Sequence, residues 1–73
     1  MMMNKAIYYN VDSFIQITKI VEFLEDGHNV IVECEPVLQK RVIDYLSGVI
    51  YVLKGQIIRI TANKYLLIVD KGE

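Results

Sequence analysis

The chain has 73 residues, with eight basic against nine acidic side chains and 53% apolar residues. Its length limits it to one domain, and its near-neutral charge gives no field that would attract nucleic acid or an anionic membrane. One cysteine excludes an internal disulfide, and one histidine disfavours a protein-only zinc site. A partner subunit is therefore the stabilising element that we expect for so short a chain.

The first half of the chain predicts a β-α-β unit. Residues 5–9 predict a strand, and Asp12 or Ser13 offers the N-cap of a helix that ends at Gly27. The β-branched run at residues 30–34 predicts a buried second strand, parallel to the first because a helix joins the two. The apolar face predicted for this helix consists of Phe14, Ile17, Ile20, Val21, Phe23 and Leu24.

The second half predicts a long helix and a β-hairpin. Pro36 suits the first helical turn, and Gly55 is the expected stop. Residues 56–61 and 64–69 predict two strands joined by a tight turn, and residues 70–73 a frayed tail. The fold class is thus an α/β two-layer sandwich, β-α-β-α-β-β, with two helices on one face of a small mixed sheet. The apolar arc of the second helix comprises Leu38, Val42, Ile43, Tyr45, Leu46, Val49, Ile50, Val52 and Leu53.

The sequence lacks motifs for catalysis, phosphate binding and metal ligation. We therefore expect a protein that is not an enzyme and that binds neither a cofactor nor a metal ion. His28 is expected in a solvated turn. Cys34 ends a buried strand, and its acidic neighbours disfavour a reactive thiol. Those neighbours, Glu33 and Glu35, could bind a hard cation, but a solvated strand end is the simpler interpretation. Without a recognisable signal peptide or an apolar run long enough to span a bilayer, a cytoplasmic location is expected.

Gly48 interrupts a strongly periodic helix, where glycine costs ~1 kcal/mol relative to alanine. Two interpretations stay open. The helix kinks or pauses there, or Ser47 and Gly48 form a flat spot for a second helix. Tyr51 falls on the polar side of the same helix, and tyrosine is favoured at protein interfaces. Ser47, Gly48 and Tyr51 are therefore the candidate self-association residues of a homodimer or higher oligomer. Stacking of RNA bases on the tyrosines is disfavoured by the order of elements and by a pI of about 5.7.

Residues 40–53, KRVIDYLSGVIYVL, resemble the signature helix of the SepF family of bacterial and archaeal cell-division proteins. The resemblance continues through residues 54–60 and 64–67. In the family, a glycine, a strand of Ile-x-Arg/Lys-Ile type and a Phe-Leu pair occupy these places. Tyr65 stands where phenylalanine is commoner and Gln39 where alanine is.

The resemblance implies a non-catalytic cytoskeletal adaptor. SepF-like domains dimerise, often polymerise, and bind the C-terminal tail of the tubulin-like GTPase FtsZ at the division site, on the inner face of the membrane. Bacterial members add an N-terminal amphipathic helix as a membrane tether. The three methionines before the first predicted strand cannot form such a helix, so membrane contact is expected only through a tether absent from this chain.

The resemblance ties Arg59 and Tyr65 to the FtsZ pocket. Strand alternation is expected to place Ile57, Arg59 and Thr61 on one face of the hairpin, with Tyr65 close by. Val42 and Tyr45 could complete an apolar floor for the tail. The alternative function is a small-ligand-sensing regulatory domain, which would need a pocket lined by convergent polar groups.

Overall fold

The computed structural model describes residues 6–69. The predicted architecture is confirmed, with both helices on one face of a four-stranded mixed sheet. Lys5, which begins the predicted first strand, and the predicted tail at 70–73 lie outside the described residues. The elements are β1 (Ile7–Val11), a 3-10 turn (Phe14–Gln16), α1 (Ile17–Glu25), β2 (Val30–Cys34), α2 (Pro36–Val52), β3 (Gln56–Thr61) and β4 (Lys64–Ile68).

The sheet has the strand order β1-β2-β4-β3. Strand β1 runs parallel to β2, as the connecting helix requires, and β4 pairs antiparallel with both β2 and β3. With β4, strand β2 is therefore one of the two inner strands. Its alternate residues Val30, Val32 and Cys34 are buried beneath the helices, whereas Ile31 and Glu33 point to the opposite face. We call that opposite side of the sheet the open face.

Helix α2 turns a narrower side to the core than its apolar arc predicts. Val42, Leu46 and Ile50 are buried. Tyr45 and Val52, which the sequence places on the core-facing arc, are 51% and 75% exposed, and that expectation is wrong. A helix packed on a sheet buries a stripe about 100° wide. When half of the helix surface is apolar, the apolar residues beyond that stripe therefore stay exposed.

The two helices end in the same way but with different residues. Gly27 closes α1 with a φ of 92°, as predicted, and His28 donates its backbone N–H to the Phe23 carbonyl at 3.0 Å. After α2 it is Lys54, not Gly55, that takes the left-handed conformation, with a φ of 61°. Gly55 has a different function, because a Cβ there would collide with the carbonyl oxygen of Ile68.

A register shift in β3 corrects the expected alternation. Arg59 lies opposite Tyr65, but the next pair joins Thr61 to Lys64, so one extra residue is inserted between them. Thr61 therefore reaches the open face with Lys64 instead of sharing a face with Arg59. The expectation that both residues lie on one face is wrong because a bulge breaks the period of two.

The two glycines flanking the end of α2 should respond oppositely to alanine. Gly55→Ala should lower the free energy of unfolding by roughly 2 kcal/mol, because backbone atoms must move to admit a methyl group. Gly48→Ala should raise it by about 1 kcal/mol, since a Cβ there meets nothing within 4 Å and alanine favours the helix. Urea unfolding followed by circular dichroism measures both. An unchanged midpoint for Gly55→Ala would contradict the close approach.

Candidate functional site: an outer helix stripe and a hairpin pocket

The outer side of α2 carries an apolar stripe. Tyr45, Gly48 and Val52 follow one another at i, i+3 and i+7, and so share one face of the helix. At 100° per residue, this face is centred about 130° around the helix from the buried Val42, Leu46 and Ile50, and its two side chains and the glycine are exposed. We call these three residues the outer stripe. Helix α2 thus has apolar groups on two sides, and residues 6–69 leave the outer of these sides exposed.

A groove runs beside the outer stripe, between α1 and α2. Its volume is about 430 Å³, and Gly48 forms part of its wall. The lining is apolar apart from Glu25. It therefore lacks the convergent polar groups that a metabolite pocket needs. The groove therefore suits an apolar protein surface better than a small ligand. Its lining residues are Val21, Glu25, Tyr45, Gly48, Val49, Val52 and Leu53.

The predicted self-association residues lie on adjacent sides of α2. Ser47 is exposed about 100° around the helix from Gly48. Tyr51 is 84% exposed and stands one turn beyond both. The helix continues unbroken through Gly48 to Val52, so it does not pause at Gly48.

The two helical residues predicted for the partner pocket are not among those that line the cavity beside Tyr65. Tyr45 lines the α1–α2 groove and packs edge-on against Phe14, with ring centroids 5.9 Å apart. Arg41 covers the same Phe14 ring at 4.7 Å. Val42 is fully buried in the core, so a partner cannot contact its side chain in this fold.

Arg59 and Tyr65 do come together. They face each other across β3 and β4, in a row that continues through Val32 to Tyr9 on the helix-covered side. Arg59 is exposed, and its Nε donates to the Thr61 carbonyl at 3.3 Å. Because that contact is long and exposed, the rest of the guanidinium is open to a ligand.

Gln39 is a further member of this site. Its Nε2 donates to the Tyr65 hydroxyl at 2.6 Å and to the Ala62 carbonyl at 2.7 Å, which ties the first half of α2 to the hairpin turn. We call Gln39, Arg59 and Tyr65 the hairpin site. A cavity of about 280 Å³ adjoins it, lined by Pro36, Gln39, Lys40, Ile43, Asp44 and Tyr65.

The charges around the hairpin site are nearly balanced. Lys40 and Asp44 form an ion pair of 3.2 Å on the cavity rim, and both are exposed. Such a surface pair contributes little to stability, and it leaves the rim with no net charge. Arg59 therefore gives the hairpin site a positive balance.

The open face of the sheet is an apolar surface that the sequence interpretation missed. Tyr8, Ile31, Leu66 and Ile58 pair in one row across all four strands. The next row is polar and contains Glu33 beside Lys64, and the Lys64 ammonium lies 5.7 Å from the centre of the Tyr8 ring. The sequence does carry a signal for this surface. In a strand with one solvated face, apolar and polar residues alternate, whereas the consecutive apolar pairs Ile57-Ile58 and Leu66-Leu67 place apolar side chains on both faces.

The residues weighed for chemistry occupy inert positions. Burial raises the pKa of the Cys34 thiol, which keeps it protonated. His28 is exposed and stands edge-on to Phe23. Within residues 6–69, no cluster of His, Cys, Asp or Glu side chains could hold a metal ion. Across the same residues, every helix is too short or too polar to cross a bilayer.

Comparison with known proteins places nearly the whole chain in one family. The sequence profile described as "Cell division protein SepF" matches residues 7–71, a range that includes both helices and all four strands. No curated protein matches the chain significantly. The resemblance first found in α2 and the hairpin is thereby confirmed and extended to the β-α-β half.

Cys34 should react slowly with thiol reagents in the native protein. Its side chain is 1% exposed and burial raises its pKa, so thiolate and access are both scarce. Labelling with iodoacetamide at neutral pH should be at least about tenfold slower than in urea. A Cys34→Ala, Thr18→Cys variant provides the control, because Thr18 is exposed on α1 and its replacement should label rapidly without urea. Equal native rates for the two proteins would contradict the burial.

Proposed function

Because this chain belongs to the SepF family of cell division proteins, we propose that it is a non-catalytic adaptor that self-associates and binds the C-terminal tail of FtsZ. The observation that carries the proposal is the outer stripe on α2. The side of α2 that contains Val42, Leu46 and Ile50 already packs in the core. On the outer stripe, Val52 stays 75% exposed, and Tyr45 stays 51% exposed in spite of its contact with Phe14. Binding of FtsZ would bring the protein to the division site, on the inner face of the membrane.

The proposed self-association surface is the outer stripe with the adjoining groove. Gly48 leaves a flat spot with nothing within 4 Å of its missing Cβ, so the backbone of a second helix can approach there. Tyr51 and Val52 offer exposed apolar area on either side of that spot. Two copies related by a two-fold axis would bury the same stripe on each subunit, which is the simplest closed arrangement.

The proposed tail-binding surface is the hairpin site. FtsZ tails combine apolar with acidic residues, and the site offers an aromatic ring beside a guanidinium. Arg59 and Tyr65 support this proposal because they lie directly opposite each other on β3 and β4. Tyr45 belongs by position to the self-association surface, and Val42 belongs to the core.

The first test concerns self-association. Light scattering after size-exclusion chromatography at micromolar concentration should give twice the 8.4 kDa of one chain. Gly48→Lys should shift the mass to that of a monomer, because a long charged side chain blocks the approach of a second helix. The substitution should leave the fold intact, since lysine is the better helix former and its side chain has open space.

Ile58→Lys is the charge-matched control for Gly48→Lys, because Ile58 is exposed on the open face, on the opposite side of the molecule. It should retain the dimer mass. A monomer from Ile58→Lys together with a dimer from Gly48→Lys would contradict the outer stripe and move the interface to the sheet. A wild type that elutes as a monomer would remove self-association from the proposal.

The second test concerns the tail. Tyr65→Ala should weaken binding of a fluorescent FtsZ-tail peptide by ~1–2 kcal/mol, because interface energy concentrates in a few aromatic anchors. Arg59→Glu should weaken it mainly at low salt, where charges are unscreened. Lys54→Glu makes the same charge change at the far end of α2 and should bind like the wild type.

Fluorescence polarisation on variants whose circular dichroism matches the wild type gives these affinities. If all four proteins bind equally, the hairpin site is not the binding surface. If the wild type fails to bind, the FtsZ tail is not the partner.

A further inference from the structure

The chemistry of the acceptors fixes the orientation of the Gln39 amide. The Ala62 carbonyl can only accept a hydrogen bond, so the group 2.7 Å from it must be the amide nitrogen. The same nitrogen lies 2.6 Å from the Tyr65 hydroxyl. An amide group carries two hydrogens on its nitrogen, and these two contacts use both. The Tyr65 oxygen is therefore the acceptor in its contact with Gln39.

This assignment determines where the Tyr65 proton points. A phenol has one proton to donate, and the lone pair facing Gln39 is occupied. The proton must therefore point away from the amide. Within residues 6–69, the hydroxyl donates to no protein acceptor, whereas Tyr65 lines the 280 Å³ cavity at the start of α2. The hydroxyl thus supplies a hydrogen-bond donor whose direction the amide restricts.

The surroundings of this donor favour a negatively charged acceptor. Arg59 lies opposite Tyr65 on the neighbouring strand and adds a positive charge. Lys40 and Asp44 neutralise each other on the rim, at 3.2 Å. Pro36 and Ile43 form the apolar part of the cavity wall. An acidic side chain next to an apolar residue in an extended peptide matches this combination of donor, cation and apolar wall.

We propose that the Tyr65 hydroxyl donates a hydrogen bond to a carboxylate of the bound peptide, and that Gln39 is a positioning residue that directs this donor. The inference rests on the proposed function and adds the specificity of the hairpin site. Gln39 also holds the hairpin turn through the Ala62 carbonyl, but it acts on the preference for an acidic peptide through the Tyr65 hydroxyl. Its removal should change that preference when Tyr65 is present and have no further effect on the preference when phenylalanine replaces Tyr65.

Two peptides and four proteins test the inference. The peptides are the FtsZ tail and a copy in which each Asp and Glu is replaced by Asn and Gln. The proteins are the wild type, Tyr65→Phe, Gln39→Ala and the double variant. Tyr65→Phe removes one oxygen atom and keeps the ring, so the anchor and the fold are retained. Fluorescence polarisation gives the ratio of the two affinities for each protein.

The wild type should prefer the acidic peptide, and Tyr65→Phe should reduce this preference by about fivefold, because a hydrogen bond to a carboxylate is stronger than one to an amide. Gln39→Ala should reduce the preference in the same direction, and the double variant should equal Tyr65→Phe. If Gln39 had only a structural role, its removal would weaken the binding of both peptides equally and leave the preference unchanged.

The outcomes separate this inference from the proposed function. If the wild type binds the tail and Tyr65→Phe keeps its full preference, the hydroxyl does not contact a carboxylate and the inference is overturned while the partner stands. An additive effect of Gln39→Ala in the Tyr65→Phe background overturns the positioning role. If the wild type binds neither peptide, the partner fails and the inference fails with it.

Discussion

Both helices pack on the same face of the sheet, and the rest of the molecule follows from that one-sidedness. The inner strand β2 turns Val30, Val32 and Cys34 into the single core, and its intervening residues to the open face. Two of the three strand pairings are antiparallel, and a sheet of that kind usually turns polar side chains to the face that its helices leave open. Here the row from Tyr8 to Ile58 stays apolar without any cover among the described residues. The chain thus holds more apolar surface than one small core can bury, and the surplus lies outside α2 and across the sheet.

Different sides of helix α2 make different contacts. The side containing Val42, Leu46 and Ile50 holds the core together, and substitutions there act on stability. The outer stripe contributes little to the core, and a side chain at Gly48 would have open space, which suits the stripe to the association that we propose. The flank that carries Gln39 holds the hairpin turn. One helix can serve three surfaces because successive residues are rotated by 100°, which keeps their contacts apart.

The sequence predicts those features that depend on local patterns. Strands β2 and β3 have the expected bounds, because β-branched runs are bounded there by clear breakers. The apolar periodicity of α2 showed that the helix is amphipathic, but not that Tyr45 and Val52 lie outside, since periodicity does not measure how wide a stripe the sheet covers. Contacts between residues that are distant in the sequence could not be predicted from such patterns. The contact of Gly55 with Ile68 and the bond between Gln39 and Tyr65 both require the folded hairpin. The resemblance had marked Gln39 and Tyr65 as separate departures from the family pattern, and the fold makes them a contacting pair.

The bulge after Arg59 explains how one hairpin can serve two faces. Without it, Thr61 would follow Arg59 on the helix-covered side; with it, Thr61 and Lys64 pair on the open face. There the Thr61 hydroxyl bonds to Asn63, whose amide contacts Glu33 at 3.4 Å, so the turn is held from the open side. From the other side Gln39 holds the same turn through the Ala62 carbonyl. A turn fixed from both sides restrains the strands that carry Tyr65 and Arg59, which would lower the entropic cost of the peptide binding that we propose. The irregularity that breaks the strand pattern is therefore what separates the cationic hairpin site from the polar row on the open face.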